Sequence, residues 1–244
     1  MTRYRRLDPE KIERTCRQLT LRIEERFSAS SLLGVAREVA GMSADIGRQT
    51  RELARPIVWL RVLILAVIAA AGLVFLFVGT FLSFDRLSTN AFDLVETFEA
   101  GINTLIIAGL GLVTLVRLEE RIKRRRVLDG LHDLRSIIHV IDMHQLTKDP
   151  AVLDPDFRPT EHSPARITDR NDLARYLDYC SELLSITGKL AALYAQEIND
   201  EVVVDAVNDI EELASSLSGR VWQKIVLIDT LPLVPVRKQD NRRP

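Results

Sequence analysis

Little in this sequence points to catalysis. It has no Cys-x-x-Cys pair, Gly-rich phosphate loop or nucleophile elbow, so the usual signatures of thiol redox, nucleotide hydrolysis and acyl transfer are missing. Cysteine is scarce, at two residues (Cys16 and Cys180), and histidine is limited to four. No strand pattern, internal repeat or low-complexity block occurs, which leaves an all-α class. No hydrophobic leader precedes Val62, because residues 1–55 are rich in Arg and Glu and helical in pattern. On these grounds no catalytic, cofactor-binding or metal-binding residue is assigned, and nothing argues for an enzyme.

What the chain does have is two apolar runs. Val62–Phe84 holds 23 residues without a charge. As a helix it is about 35 Å long, against a hydrocarbon core of ~30 Å. Ala100–Val116 is a second run, of 17 residues, at the lower limit for crossing. The average composition hides them. A net charge of −1, with 27% charged and 47% hydrophobic residues, would describe an ordinary soluble protein. The expectation is a two-span transmembrane helical hairpin over residues 56–117 that directs its own insertion, with an acidic loop at 85–99. Pro56 opens the first span, where a missing N–H is tolerated. Ala66, Ala70 and Gly72, with Gly109 and Gly111, predict close backbone approach, between the spans or between copies. Neither span has a charge in its middle, so the usual marker of an ion relay is missing.

Charge asymmetry sets the expected orientation. Residues 1–55 carry 12 Lys and Arg, and Arg117–Arg126 carries six in ten residues. The connecting loop has one, Arg86, beside Asp85, Asp93, Glu96 and Glu99. The positive-inside rule then puts both termini in the cytoplasm of a bacterial-type inner membrane. Trp59, Arg61, Arg117, Arg121, Lys123, Arg124, Arg125 and Arg126 are expected at the inner interface, where anionic lipid headgroups are the default partner. Nucleic acid is not expected, since no aromatic or base-reading residue accompanies the basic run. The two thiols then face a reducing compartment, and each sits on an apolar stripe as a small buried hydrophobe.

The flanks read as cytoplasmic helices: an N-terminal pair in 1–55, a C-terminal domain at 118–230 and a flexible tail at 231–244. Asp8 and Pro9 mark a helix start, followed by a stripe of Ile12, Cys16, Leu19 and Ile23. Ser30 can cap a second helix, whose Leu32, Val35, Val39, Met42, Ile46 and Leu53 alternate as in a coiled-coil seam, with polar Gln49 in the remaining position. The second span is expected to continue as one helix to about Met143, followed by a proline-rich loop over 144–168 and helices over 169–199 and 200–228. The first of these has two apolar seams. Leu184 lies on one and Leu183 on the other, and one seam is expected to serve another copy or a partner. The last helix is expected to bury Val203, Ala206, Ile210, Leu213, Leu217 and Ile225.

Three patterns invite chemistry. His132-Asp133 is similar to the dipeptide of His-Asp phosphohydrolases. That family's pattern has another His well upstream, and none of the four precedes His132. His132, Arg135, His139 and Asp142 form a polar stripe that would suit a mixed imidazole–carboxylate site of a metal-dependent membrane enzyme. His132 and His139 stand about 10.5 Å apart along a helix, too far to share one metal, so a solvated or paired stripe is favoured. Residues 100–103 (Ala-Gly-Ile-Asn) resemble the Gly-Met-Asn signature of bacterial magnesium channels. The likeness covers three residues, at the start of the second span rather than the end of the first. In an oligomer, Asp93, Glu96 and Glu99 would form acidic rings of a cation vestibule. The reading the residues favour is a membrane-anchored helical module that self-associates as a homo-oligomer or docks a membrane or cytoplasmic protein. An oligomeric cation channel or transporter subunit comes second and the enzyme third.

Overall fold

A computed structural model of the protein describes residues 6–53, 55–81, 91–164 and 166–230. The helices are α1 (Pro9–Arg26), α2 (Ser31–Leu53), α3 (Val58–Phe81), α4 (Ala91–Leu146), α5 (Arg170–Glu197) and α6 (Glu201–Thr230), with a 3-10 turn at Pro150–Leu153. No strand occurs among the described residues, so the chain is all-α as expected. The expected tail at 231–244, the last three residues of the first apolar run (82–84) and residues 85–90 of the expected loop lie outside the described residues.

Helix starts follow from capping chemistry. The Asp8 carboxylate accepts from the N–H groups of Glu10 (3.0 Å) and Lys11 (3.4 Å), and Pro9 holds the first helical position. Ser30 Oγ accepts from Leu32 N at 3.1 Å. Asp169 and Asp200 cap α5 and α6 in the same way, through Asp172 N (2.8 Å) and Val203 N (3.3 Å).

The chain divides into two compact units, Leu53–Arg126 and the remainder, Met1–Glu52 with Val127–Pro244. The larger unit is a bundle centred on α5, which packs against α6 and α1. The α5–α6 pair is antiparallel: Ser181 Oγ lies 2.6 Å from Ser218 Oγ, and Gly188 faces the Ala214 methyl. Arg22–Glu182 and Arg26–Asp172 (2.9 Å) tie α1 to α5. Cys16 and Cys180 are both buried and free, with burial pushing their thiols up to about 11 and about 12.

Both α5 seams are internal to this one chain, which corrects the expectation that one of them is left for a partner. Leu183 and Leu184 are fully buried, as are Leu177, Cys180, Leu190 and Tyr194. The physical reason is that the bundle has more helices than two seams need. Tyr194 Oη donates to Gln49 Oε1 on α2 at 2.6 Å, and its ring lies against Gly130 of α4. Gln49, the polar residue of the α2 seam, thus satisfies a buried phenol. Helix α2 also departs from a narrow seam. Leu33, Ala36, Ser43 and Thr50 are buried beside the expected positions while Met42 is only half-buried, giving the wider stripe of a globular helix. On α6 the buried positions are Val203, Val207, Ile210, Ala214, Leu217, Val221 and Ile228. The expected Ala206, Leu213 and Ile225 are half-buried. This helix is apolar over so broad an arc that a 3-4 and a 4-3 alternation both fit its sequence.

The smaller unit behaves differently. Leu65, Leu73 and Leu76 on α3, and Leu105, Ile107 and Leu110 on α4, are all exposed. One helical stretch within Ser31–Leu73 is long and apolar enough to cross a membrane, with only 6% of its most apolar window buried. Space around Gly72, Gly109 and Gly111 is open for 4 Å, so no close approach occurs at those glycines among the described residues. Of the expected acidic loop at 85–99, residues 91–99 lie on α4, which begins at Ala91. Asp93 and Glu96 suit the positive end of a helix dipole, which fits a start this early.

Candidate functional site

Glu119 organises the smaller unit. Ile57 N donates to Glu119 Oε1 at 3.2 Å, immediately before the first turn of α3. Ile57 O accepts from both Leu60 N and Arg61 N at 3.1 Å. A carboxylate at this position answers the unsatisfied N–H groups and the positive end of the α3 dipole. Lys123 Nζ approaches Glu119 at 3.0 Å. Burial raises the Glu119 pKa, but the hydrogen bonds from Lys123 and Ile57, with the charges of Lys123 and Arg61, outweigh it and hold the group below its usual range. The start of α3 and residue 119 of α4 are therefore level.

Around this knot stand the expected interface residues. Trp59, Arg61, Arg117, Arg121, Arg125 and Arg126 are exposed, and Lys123 and Arg124 are half-buried. Trp59 offers an exposed ring two residues from Arg61, an amphipathic pair of the kind found at a headgroup boundary. Asp93, Glu96 and Glu99 fall on the first three turns of α4, at three-residue spacing, and Glu99 is exposed.

The polar stripe does not assemble into a centre. His132 and His139 are exposed on one unbroken helix, and Arg135 Nη2 stands 3.6 Å from Asp209 of α6. Asp142 accepts from Gln145 Nε2 at 2.7 Å. No group of three metal-ligating side chains occurs among the described residues.

Asp142 instead belongs to a knot that fastens the end of α4. Lys224 Nζ donates to Gln145 O (3.0 Å) and Gln145 Oε1 (2.6 Å), supplying a donor to a helix C-terminus that lacks its own. Burial pulls the Lys224 ammonium below its usual pKa, opposed by Asp149 and Asp142. His144 Nδ1 lies 3.3 Å from Ser31 Oγ at the start of α2, and burial with the Lys148 charge lowers its pKa. The Lys148 ammonium sits 5.0 Å from the Tyr176 ring centre, and burial raises that phenol to about 12. Sequence periodicity placed Asp142, Tyr176 and Lys224 on helices, left His144, Gln145 and Lys148 in the expected loop over 144–168, and gave no sign that they meet; α4 in fact runs on to Leu146.

One concave feature went unread in the sequence. Helices α5 and α6 border an open groove of about 490 Å³. Its walls include Ser181, Ser185 and Gly188 from α5, and Ser215 and Gly219 from α6. Trp222 stands at one end and Lys189 with Glu211 at the other. Lys189 Nζ bonds Ser185 Oγ at 2.6 Å. The sequence signal was there, in small residues at helical spacing on the outer side of two heptad-patterned helices, with a tryptophan outside the buried stripe.

Comparison of the chain with protein-family models, curated sequences and solved structures finds no match. The arrangement itself offers a pair of apolar helices with basic residues at one end and a helical bundle bordered by a groove.

Proposed function

We propose that the chain is a two-span protein of a bacterial inner membrane, with both termini in the cytoplasm and the bundle serving there as a self-associating scaffold or docking module. The observation that carries this reading is the hairpin base. A hydrogen bond from Ile57 to Glu119 closes a pair of helices whose apolar side chains face outward, with basic residues gathered at the closed end. Exposed apolar shells of this size cost too much in water, whereas in hydrocarbon they are solvated and the backbone is satisfied within each helix. Lipid headgroups at the Arg117–Arg126 run add roughly 1 kcal/mol per basic residue near the surface. Cysteines placed at Ser88 and Thr160 should react with an impermeant maleimide from opposite faces of the membrane. Reaction of both from one face overturns the reading.

A second reading draws on the extension of α4 to Ala91, which puts Asp93, Glu96 and Glu99 on successive turns of one helix. In an oligomeric cation channel they would concentrate cations at the outer mouth. Neutralising all three should then lower cation flux in liposomes, most at low ionic strength. Reconstituted protein with no flux eliminates this alternative.

A further inference from the structure

We infer that the α5–α6 groove is the surface by which two copies of this chain pair, each placing Trp222 in the groove of the other. The inference deepens the self-association reading above and rests on it.

The groove is a hole without a filling side chain, and Trp222 is a large side chain without a hole. Trp222 is 61% exposed at the groove's end, although an indole gains more from burial than almost any other side chain. The walls at Ser185, Gly188, Ser215 and Gly219 carry little bulk, and Gly219 has open space for 4 Å around it. A second helix can therefore come close. Helices α5 and α6 run antiparallel with Ser181 level with Ser218, so Lys189 and Glu211 lie at one end and Trp222 at the other. Eleven residues of α6 separate Glu211 from Trp222, about 16 Å along the axis.

A two-fold axis near Ser215 and Ser216 exchanges those ends. Trp222 of one copy then reaches the end of the other that carries Lys189 and Glu211. An ammonium there suits the indole face, and a carboxylate suits its N–H. The charge pattern selects a second copy over a foreign partner. A groove meant for an acidic or basic protein would carry one sign, whereas this one has one cation and one anion at one end and the missing aromatic at the other. A surface that offers both halves of its own contact is what a closed two-fold pair requires.

The test uses the full chain in detergent, with mass by light scattering. Wild type should be a dimer. Ser215→Arg, at an exposed position, should give a monomer with unchanged helicity and melting temperature, and Trp222→Ala should weaken pairing at least tenfold. Ser216→Cys should form a disulfide-linked dimer on mild oxidation, since Cys16 and Cys180 are buried and do not compete. A dimeric wild type whose mass Ser215→Arg leaves unchanged puts the contact elsewhere, overturning this inference alone. A monomeric wild type overturns self-association as well. If Ser215→Arg misfolds, crosslinking at Ser216→Cys decides, and its absence counts against the groove.

Discussion

Leu183, Leu184, Leu134 and Ile138 in the bundle are fully buried, while Leu105 and Ile107 of the hairpin are 76% and 71% exposed. The residue types are the same and the environments are opposite. In the bundle the apolar stripes face neighbouring helices, and charges occupy the other side, as in Arg22, Arg26 and Arg37 with their acidic partners. In the hairpin no polar side exists along Val62–Phe84 or Ala100–Val116, so packing one face leaves the rest bare. The contrast teaches that one chain holds two kinds of helix, one kind whose apolar stripe is covered by neighbours and one whose apolar surface stays bare.

The largest effect expected from this contrast is at the α5 seams. Leu183→Ala and Leu184→Ala should each cost about 2–5 kcal/mol of bundle stability, read by thermal unfolding in detergent. Aspartate at either position should unfold the bundle. Leu105→Ala should change it by no more than about 0.5 kcal/mol, as for a side chain with no packed neighbours. Equal losses at Leu183 and Leu105 would break the comparison.

Next in size is Gly130. Alanine in a helix interior ordinarily gains ~0.5–1 kcal/mol over glycine. Here its methyl would collide with Tyr194 Oη and lie 3.0 Å from Cζ, and that ring is fully buried and bonded to Gln49. Overpacking of about 1–3 kcal/mol should dominate, making Gly130→Ala destabilising. Tyr194→Phe should recover part of that loss by removing the oxygen. A stabilised Gly130→Ala would show that α4 and α5 are not locked there.

Glu119→Ala should loosen the hairpin base by about 0.5–2 kcal/mol, the usual worth of a helix cap. Faster amide exchange at Ile57 would report it, with the bundle's melting temperature unchanged.

The smallest effect concerns pH. Because His144 is held below its usual pKa in the fold, the unfolded chain takes up its proton first as pH falls through 6.5. Its contribution is present above pH 6.5 and is lost as pH falls toward the lower folded value. A His144→Gln variant should show a shallower decline in melting temperature between pH 7 and 5. An identical decline removes His144 as its source.

How much of this was legible depended on whether a feature is local. Asp8, Ser30 and the Ile12–Cys16–Leu19–Ile23 stripe behave as their spacing implies, because capping and periodicity act within a few residues. The α5 seams were visible as seams, but what covers them was not. That is decided by α6 and by α1, α2 and α4, the first two of which are more than a hundred residues away in sequence. The Lys224–Gln145 fastening and the α5–α6 groove were hidden for the same reason, since each joins residues brought together only by the fold. The early start of α4 was a local signal that the acidic composition of the stretch obscured.

The division of the larger unit between two ends of the chain has a consequence for biosynthesis. Helix α1 is complete at Arg26, but the helix it packs on starts about 140 residues later, at Arg170. At a synthesis rate of ~5–20 residues per second, α1 waits roughly 7–30 s for α5, with only α2 beside it in the meantime. Both apolar runs emerge from the ribosome within that interval, so on the membrane reading proposed above the hairpin would meet the bilayer before the bundle can close. A nascent chain stalled before Arg170 should therefore be cut by protease within α1, and one released after Thr230 should resist. Until α5 arrives, the N-terminal helices are a client for whatever guards unfinished chains.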